Sequence, residues 1–210
     1  MNISIADLII QIPVLLLALT AHEFAHGYVA YRLGDPTAKQ QGRLTMNPLK
    51  HLDPLGTLAF ILVKFGWAKP VPVNPVYFKN PKQDMLKVAL AGPATNLVLA
   101  VVCAILAKAI VVIATLFPQS QLLASILIPL QTCFVYSVWI NLILCIFNFL
   151  PIPPLDGGRI MTGLLPDHLA IKYVQLERYS FIIILLLLFT GILPKLIMPI
   201  INSATHFLLT

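Results

Sequence analysis

Thr20-Ala21-His22-Glu23-Phe24-Ala25-His26-Gly27 stands near the end of an apolar run that extends from Ile3 to Tyr31. The stretch has the form H-E-x-x-H. On a helix, residues four apart lie one above the other on the same face, so His22 and His26 can hold one metal ion together. Glu23 lies about 100° round the helix from His22 and reaches past such an ion toward a water. Two imidazoles with an adjacent carboxylate suit a hydrolytic zinc site, with Glu23 as general base. The chain has two glutamates, Glu23 and Glu177, and one of them falls inside the motif. Ionisable groups at membrane depth are expensive and mark function. The plainer reading is a helix end with two interfacial histidines and a snorkelling glutamate.

The surroundings of the motif decide the class of protein. The 210 residues are 59% hydrophobic and 10% charged, with a mean hydropathy of +0.89. Soluble domains carry about 25% charged residues. The composition therefore describes an all-α polytopic membrane protein forming a single domain, 1–210. The net charge of +6 is a topology signal. No basic run is interleaved with exposed aromatics, so a nucleic-acid partner is not expected. Cys103, Cys133 and Cys145 all fall in apolar spans without a C-x-x-C pair and read as small apolar filler. No Lys or Arg precedes Arg32, so the first segment lacks the basic region of a cleavable signal and is expected to stay in the protein.

Residues 4–33 read as the first helix, long enough to span, with Pro13 as a possible kink; Gly34-Asp35-Pro36 ends it. Residues 35–53 are polar and basic, and 41–46 can form an extended strand. Asp53-Pro54-Leu55-Gly56 opens a short apolar piece, so 54–66 suits a short re-entrant or tilted helix. Pro70, Pro72 and Pro75 exclude helix and central strand from the next stretch, leaving an edge-like extended segment over 67–76. A second span covers 85–117, with Lys108 snorkelling and with Ala91-Gly92-Pro93-Ala94-Thr95-Asn96 letting helices approach closely. The turn 118–121 leads to a span over 122–150. A Pro- and Gly-rich passage through Arg159, a polar linker over 160–178 and a last span over 179–202 follow. This makes about four full transmembrane helices plus the short one, with the core at 4–159. No internal repeat of the transporter kind is present.

Twelve of the fourteen Lys and Arg residues lie in 32–87 and 159–178, and the 118–121 turn has none. The positive-inside rule then places 32–87 and 151–178 in the cytoplasm and the N-terminus outside. Both ends of 54–66 then share one side, as a re-entrant segment requires.

A hydrolytic zinc takes three protein ligands and keeps one open position. The third comes from Asp7, Asp35, Asp53, Asp84, Asp156, Asp167, Glu177, His51, His168 or His206. Most sit in polar loops, where a solvated charge is the simpler reading. Asp156 follows a span directly, in a stretch whose prolines and glycines are expected to preclude regular helix. Irregular backbone at membrane depth is tolerated where it is buried in protein or lines a wet cavity. Topology brings it to the same membrane face as His22 and His26; a helix-capping carboxylate is the competing use. Asn148, eight residues earlier, offers an amide to an oxyanion or to the substrate backbone; an interhelical hydrogen bond serves equally. Asn96 offers the same amide, in a place where packing is the plainer role.

Together these residues resemble the site-2 protease family (peptidase family M50) of intramembrane zinc metalloproteases. The resemblance rests on His22-Glu23-Phe24-Ala25-His26, on Gly92-Pro93-Ala94-Thr95-Asn96, and on Asn148-x-x-Pro151-x-Pro153-x-Leu155-Asp156-Gly157. Asn47-Pro48 through Gly56, and Gly66–Pro75, look like the compact prokaryotic branch. The resemblance implies one Zn2+ per chain on His22, His26 and Asp156, with Glu23 activating water. It implies substrate or transition-state binding by Asn148, and edge-strand handling of substrate within 41–46 and 67–76. It further implies cleavage of transmembrane proteins or peptides inside a lipid bilayer, in a cell membrane, near the cytoplasmic face. Many members carry a PDZ or CBS domain; 210 residues leave no room for one, so that handle on substrate choice is expected to be missing. A non-catalytic scaffold of the same fold, or a metal or proton transporter, is the rival reading. Against the transporter, the acids gather at one end of the spans.

Overall fold

A computed structural model describes residues 5–56 and 68–210, with side chains from residue 9 onward. The expected re-entrant helix over 54–66 therefore lies, beyond Gly56, outside the described residues.

The first apolar run is one helix, α1 (Ile5–Arg32), which continues through Pro13. A single helical turn, α2 (Thr37–Gln40), follows. The second span, α3 (Pro81–Leu116), starts four residues earlier than its apolar run. The reason is local: Pro81 sits at the first helical position, where its missing N–H is no loss. The carboxylate of Asp84 also accepts from the Asn80 N–H while the Asp84 N–H donates to the Asn80 carbonyl. At 36 residues, α3 runs about 54 Å, well beyond the ~30 Å apolar layer of a bilayer. Lys108 is exposed on its outer surface, within reach of the far interface. α4 (Gln121–Asn148) returns, capped by Ser120, whose hydroxyl accepts from Leu123 N–H.

Two expectations fail beyond α4. The stretch expected to preclude regular helix becomes helical at Asp156: α5 (Asp156–Leu164) starts there, and α6 (Asp167–Val174) follows within the polar linker. Asp156 is the first residue of a regular helix, not part of a stretch that excludes one. The prolines stop at Pro154 and cannot affect a helix that begins after them. The last span is also not one helix over 179–202. It divides into α7 (Glu177–Phe189) and α8 (Ile192–Leu209) at Gly191, whose φ of +71° belongs to the left-handed region that ends helices. Among the described residues, four helices are long and apolar enough to cross a membrane: α1 from Ile9, α3, α4 and α8.

The expected strand over 41–46 is a series of turns and bends. Among the described residues no strand forms. A single antiparallel bridge joins Leu52 to Ala68. Residues 69–74 follow it as a non-helical strip, since each proline fixes its own φ and pushes the preceding residue toward extended backbone.

Packing gathers α1, α4 and α8 around α3. Ala100, Cys103 and Ala104 of α3 meet Val138 and Leu142 of α4, with Ala204, Leu208 and Leu209 of α8 against them. Small residues along α3 permit this approach. Leu193, Ile197 and Ile201 of α8 pack on Ile143, Ile146 and Phe147 of α4. Near the basic end of α1, Ala30, Phe78 and Val88 form a separate cluster with Val29, Leu33, Val73 and Met85. That cluster ties the end of α1 to the start of α3 and holds the 69–74 strip beside both.

Candidate metal centre

His22 and His26 project from one face of α1, as their four-residue spacing requires. That face also carries Ala18, Ala21 and Ala30, all buried, so α3 can come close. At Gly92 the approach leaves no room for a side chain. A β-carbon there would stand 2.6 Å from His22 Nε2 and would overlap His26 Nε2. Any larger residue would fill the space in front of both ring nitrogens.

Asp156 arrives from the other side. After α4, Ile152 N–H donates to the Leu150 carbonyl and Leu155 N–H to the Ile152 carbonyl, which turns the chain back. Tyr173 of α6 pins the turn by donating its hydroxyl to the Pro151 carbonyl at 2.7 Å. The first turn of α5 then lies against this loop. A β-carbon on Gly157 would overlap the Leu150 and Phe149 carbonyl oxygens, and one on Gly158 would stand 2.7 Å from Pro153 N. The two glycines thus permit the contact that carries the Asp156 carboxylate to the histidines.

The three groups meet. Nε2 of His22 and of His26 are 3.0 Å apart, and Asp156 Oδ2 lies 3.1 Å from the first and 3.2 Å from the second. All three residues are buried. His22 Nδ1 donates to Asn96 Oδ1 at 2.6 Å, and His26 Nδ1 donates to the Val88 carbonyl at 2.7 Å. With the protons on Nδ1, both Nε2 atoms of neutral imidazoles carry lone pairs. Asp156 Oδ2 is buried and receives no hydrogen bond. Three acceptors therefore face one point with no donor among them, an arrangement that a cation satisfies. Two nitrogens and an oxygen suit zinc, and the edges of a zinc tetrahedron with ligands at ~2.0–2.1 Å run ~3.3 Å, close to the separations found here. Among the described residues this is the one His/Cys/Asp/Glu group close enough to hold an ion.

Glu23 points to a different partner. Its Oε2 accepts the Val71 N–H at 2.8 Å, so the carboxylate next to the cluster is tied to the 69–74 strip. One turn on, Gly27 admits the strip: a β-carbon there would come within 3.0 Å of Val71 Cγ1.

Asn148 is the last residue of α4, and its amide donates to the Leu144 carbonyl of its own helix at 3.0 Å. Asn96 is fully buried. Besides accepting from His22, it donates to Asn141 Oδ1 at 2.8 Å and to the Ala18 carbonyl at 3.3 Å. Both its N–H groups are engaged by protein.

Several polar residues that read as solvated loop charges are buried supports of the strip. Asp35 accepts from Thr37 N–H, from the Thr37 hydroxyl and, at 2.7 Å, from Asn74 N–H. Arg43 donates to the carbonyls of Lys69 and Pro70. The His51 ring bonds the Thr45 carbonyl, and its own carbonyl accepts from Lys69 N–H. Asp167, His168, Glu177 and His206 are exposed and away from the cluster. The three cysteines are free thiols.

Residues 10–191 match the family model described as Peptidase family M50. A Bacillus subtilis (strain 168) protein named "Putative zinc metalloprotease YwhC" is 43% identical over 197 residues, covering 93% of this chain and 87% of its own length. Two proteins named "Putative zinc metalloprotease Rip2" also align. That of Mycolicibacterium smegmatis is 30% identical over 86% of this chain and 66% of its own length. That of Mycobacterium tuberculosis strain H37Rv is 26% identical over 82% of this chain and 63% of its own length. No solved structure matches significantly. With a buried His-His-Asp cluster and a family match over most of its length, the chain belongs to peptidase family M50, the site-2 protease family of membrane-embedded zinc metalloproteases.

Proposed function

We propose that the protein is a zinc-dependent endopeptidase that hydrolyses peptide bonds in or near transmembrane segments. His22, His26 and Asp156 hold the zinc, and Glu23 is the general base. The convergence of three buried acceptors beside Glu23 carries this reading. Zinc, when bound, supplies Lewis acidity for attack on a peptide carbonyl. Glu23 takes a proton from the attacking water and delivers it to the leaving amine. Asn148, by leaving its bond to the Leu144 carbonyl, donates its amide to the oxygen on which charge develops. A helical substrate hides its amides in its own hydrogen bonds, so it unwinds locally and lies against the 69–74 strip as an added strand.

The site lies near the cytoplasmic face of a cell membrane, with the N-terminus outside. Arg32 ends α1 ten residues after His22, or ~15 Å along the axis. The basic segments 32–87 and 159–178 belong to that same side by the positive-inside rule.

The test is zinc per chain together with cleavage of a membrane-embedded reporter peptide, for wild type, His22→Ala, Asp156→Ala and Glu23→Gln. Wild type and Glu23→Gln are expected to hold about one zinc each; the two ligand variants lose it, and all three variants lose cleavage. Zinc indifferent to Asp156→Ala overturns the ligand set, and cleavage by Glu23→Gln overturns the base. A wild type without zinc or cleavage moves the non-catalytic scaffold ahead.

A further inference from the structure

α4 is apolar along most of its length, yet Asn141 sits within it, 1% exposed. A buried amide in a membrane span is costly unless it is fully bonded. Its bonds run toward the metal centre. Asn141 Nδ2 donates to the Ser137 carbonyl at 2.8 Å. Asn141 Oδ1 accepts from Asn96 Nδ2, and Asn96 Oδ1 accepts from His22 Nδ1.

Amide orientation decides what this chain of bonds does. An asparagine can present either its oxygen or its NH2 to a neighbour, and the choice is read from the network. Here the choice is forced twice. The Ser137 carbonyl can only accept, so Asn141 must turn its NH2 to it and its oxygen to Asn96. The Ala18 carbonyl can only accept, so Asn96 must turn its NH2 that way and its oxygen to His22. His22 then has to donate from Nδ1, which leaves the lone pair on Nε2. A flipped Asn96 would offer an N–H to Nδ1, move the ring proton to Nε2 and remove His22 as a ligand. His26 needs no such device, because its partner, the Val88 carbonyl, has one orientation.

We propose that Asn96 and Asn141 form a two-amide relay that fixes the ring tautomer of His22, with Asn141 a positioning residue two hydrogen bonds from the Nδ1 of that ring. The inference rests on His22 being a zinc ligand. It gives Asn96 a positioning role in place of substrate contact.

The experiment measures zinc affinity by chelator competition and the visible spectrum of the Co2+-substituted protein, in detergent, for Asn96→Leu, Asn141→Leu, the double variant, Asn141→Asp and Ser137→Ala. Outer-shell partners of ligand histidines are typically worth ~10–100-fold in affinity. Asn96→Leu is expected to weaken zinc by about that much, and Asn141→Leu by about tenfold, each with an altered Co2+ spectrum. Because Asn141 acts only through Asn96, the double variant equals Asn96→Leu alone. Asn141→Asp retains wild-type affinity, since a protonated carboxyl there repeats both bonds: its O–H donates to the Ser137 carbonyl and its C=O accepts from Asn96. Ser137→Ala leaves zinc unchanged, because Asn141 keeps the Ser137 main-chain carbonyl. If Asn141→Leu does not fold, Asn141→Ser, too short to reach Asn96, reads the same loss. Wild-type zinc affinity and Co2+ spectrum in Asn141→Leu or Asn141→Ser, or equal losses in the presence and absence of Asn96, overturn the relay. His22→Ala run alongside separates the two failures: if it keeps its zinc, the ligand assignment has failed and not the relay.

Discussion

The N–H of Val71 donates to Glu23 Oε2 across 2.8 Å, so a residue of the 69–74 strip holds the carboxylate that follows His22 in the chain. A hydrogen bond to a charged group is worth ~1.5–3 kcal/mol, or roughly ten- to a hundredfold in rate where the geometry of Glu23 matters to the reaction. Val71→Pro removes the N–H and keeps an apolar residue in a stretch already rich in proline. It is expected to lower kcat within that range with zinc content intact. Val71→Ala keeps the N–H and stays within a few-fold of wild type. Equal activity in the two variants would refute the coupling.

Gly92→Ala makes the opposite separation. Alanine is favoured over glycine in a helix by ~1 kcal/mol, and α3 is helical here, so the fold is expected to hold. The added methyl lands on the Nε2 atoms of His22 and His26, and zinc content should fall below about a tenth of wild type. Metal analysis alongside thermal unfolding in detergent checks both halves; a zinc-loaded Gly92→Ala protein would mean that α3 can retreat from α1.

Asp35 joins the end of α1 to Asn74 of the strip. Its removal leaves the half-buried Asn74 and Thr37 N–H groups short of an acceptor, toward the middle of the ~1–3 kcal/mol range for each. Asp35→Ala is therefore expected to destabilise by about 3 kcal/mol, to open the strip to limited proteolysis, and to lower cleavage while zinc remains. Unfolding curves and protease digestion of the variant decide it.

Lys82 donates to Asp167 at 2.7 Å and holds its carboxyl below the usual carboxylate range. A depressed folded-state pKa contributes stability that is complete above the unfolded value, ~3.9, and is lost as pH falls through the folded value. Both side chains are substantially exposed, so the effect is small. Asp167→Asn should melt slightly below wild type by a constant margin from pH 8 to 5, and the two curves should converge as pH falls below about 4, where Asp167 is protonated. A gap that persists undiminished or widens in acid would contradict this.

The first helix and its motif were legible because a long apolar run and a four-residue spacing are local patterns. Asp156 is reachable from its neighbours, yet its helix is not, because Pro151–Pro154 mask a start that depends on Gly157 fitting under the Leu150 carbonyl and Gly158 fitting against Pro153. The break at Gly191 was hidden inside continuous hydrophobicity, which measures affinity for lipid and not the direction of the chain. Asp35, Arg43 and His51 read as solvated because their partners are remote or lie in loops; Asp35 and Asn74 are 39 residues apart. The role of Gly92 depends on the distance between two helices, which composition does not carry. Asn141 carries a signal of its own: an amide inside a span without charges, four residues after Ser137.

The strip between Lys69 and Asn74 is anchored by Arg43 and His51 at one end and by Asp35 at the other. Its backbone is thus already ordered before any peptide arrives. A segment that folds only on contact would spend part of the binding free energy on its own ordering. For a substrate segment added to this strip, as proposed above, the conformational ordering cost falls mainly on the incoming chain, so discrimination among candidate segments would turn on how readily each one gives up its own helix.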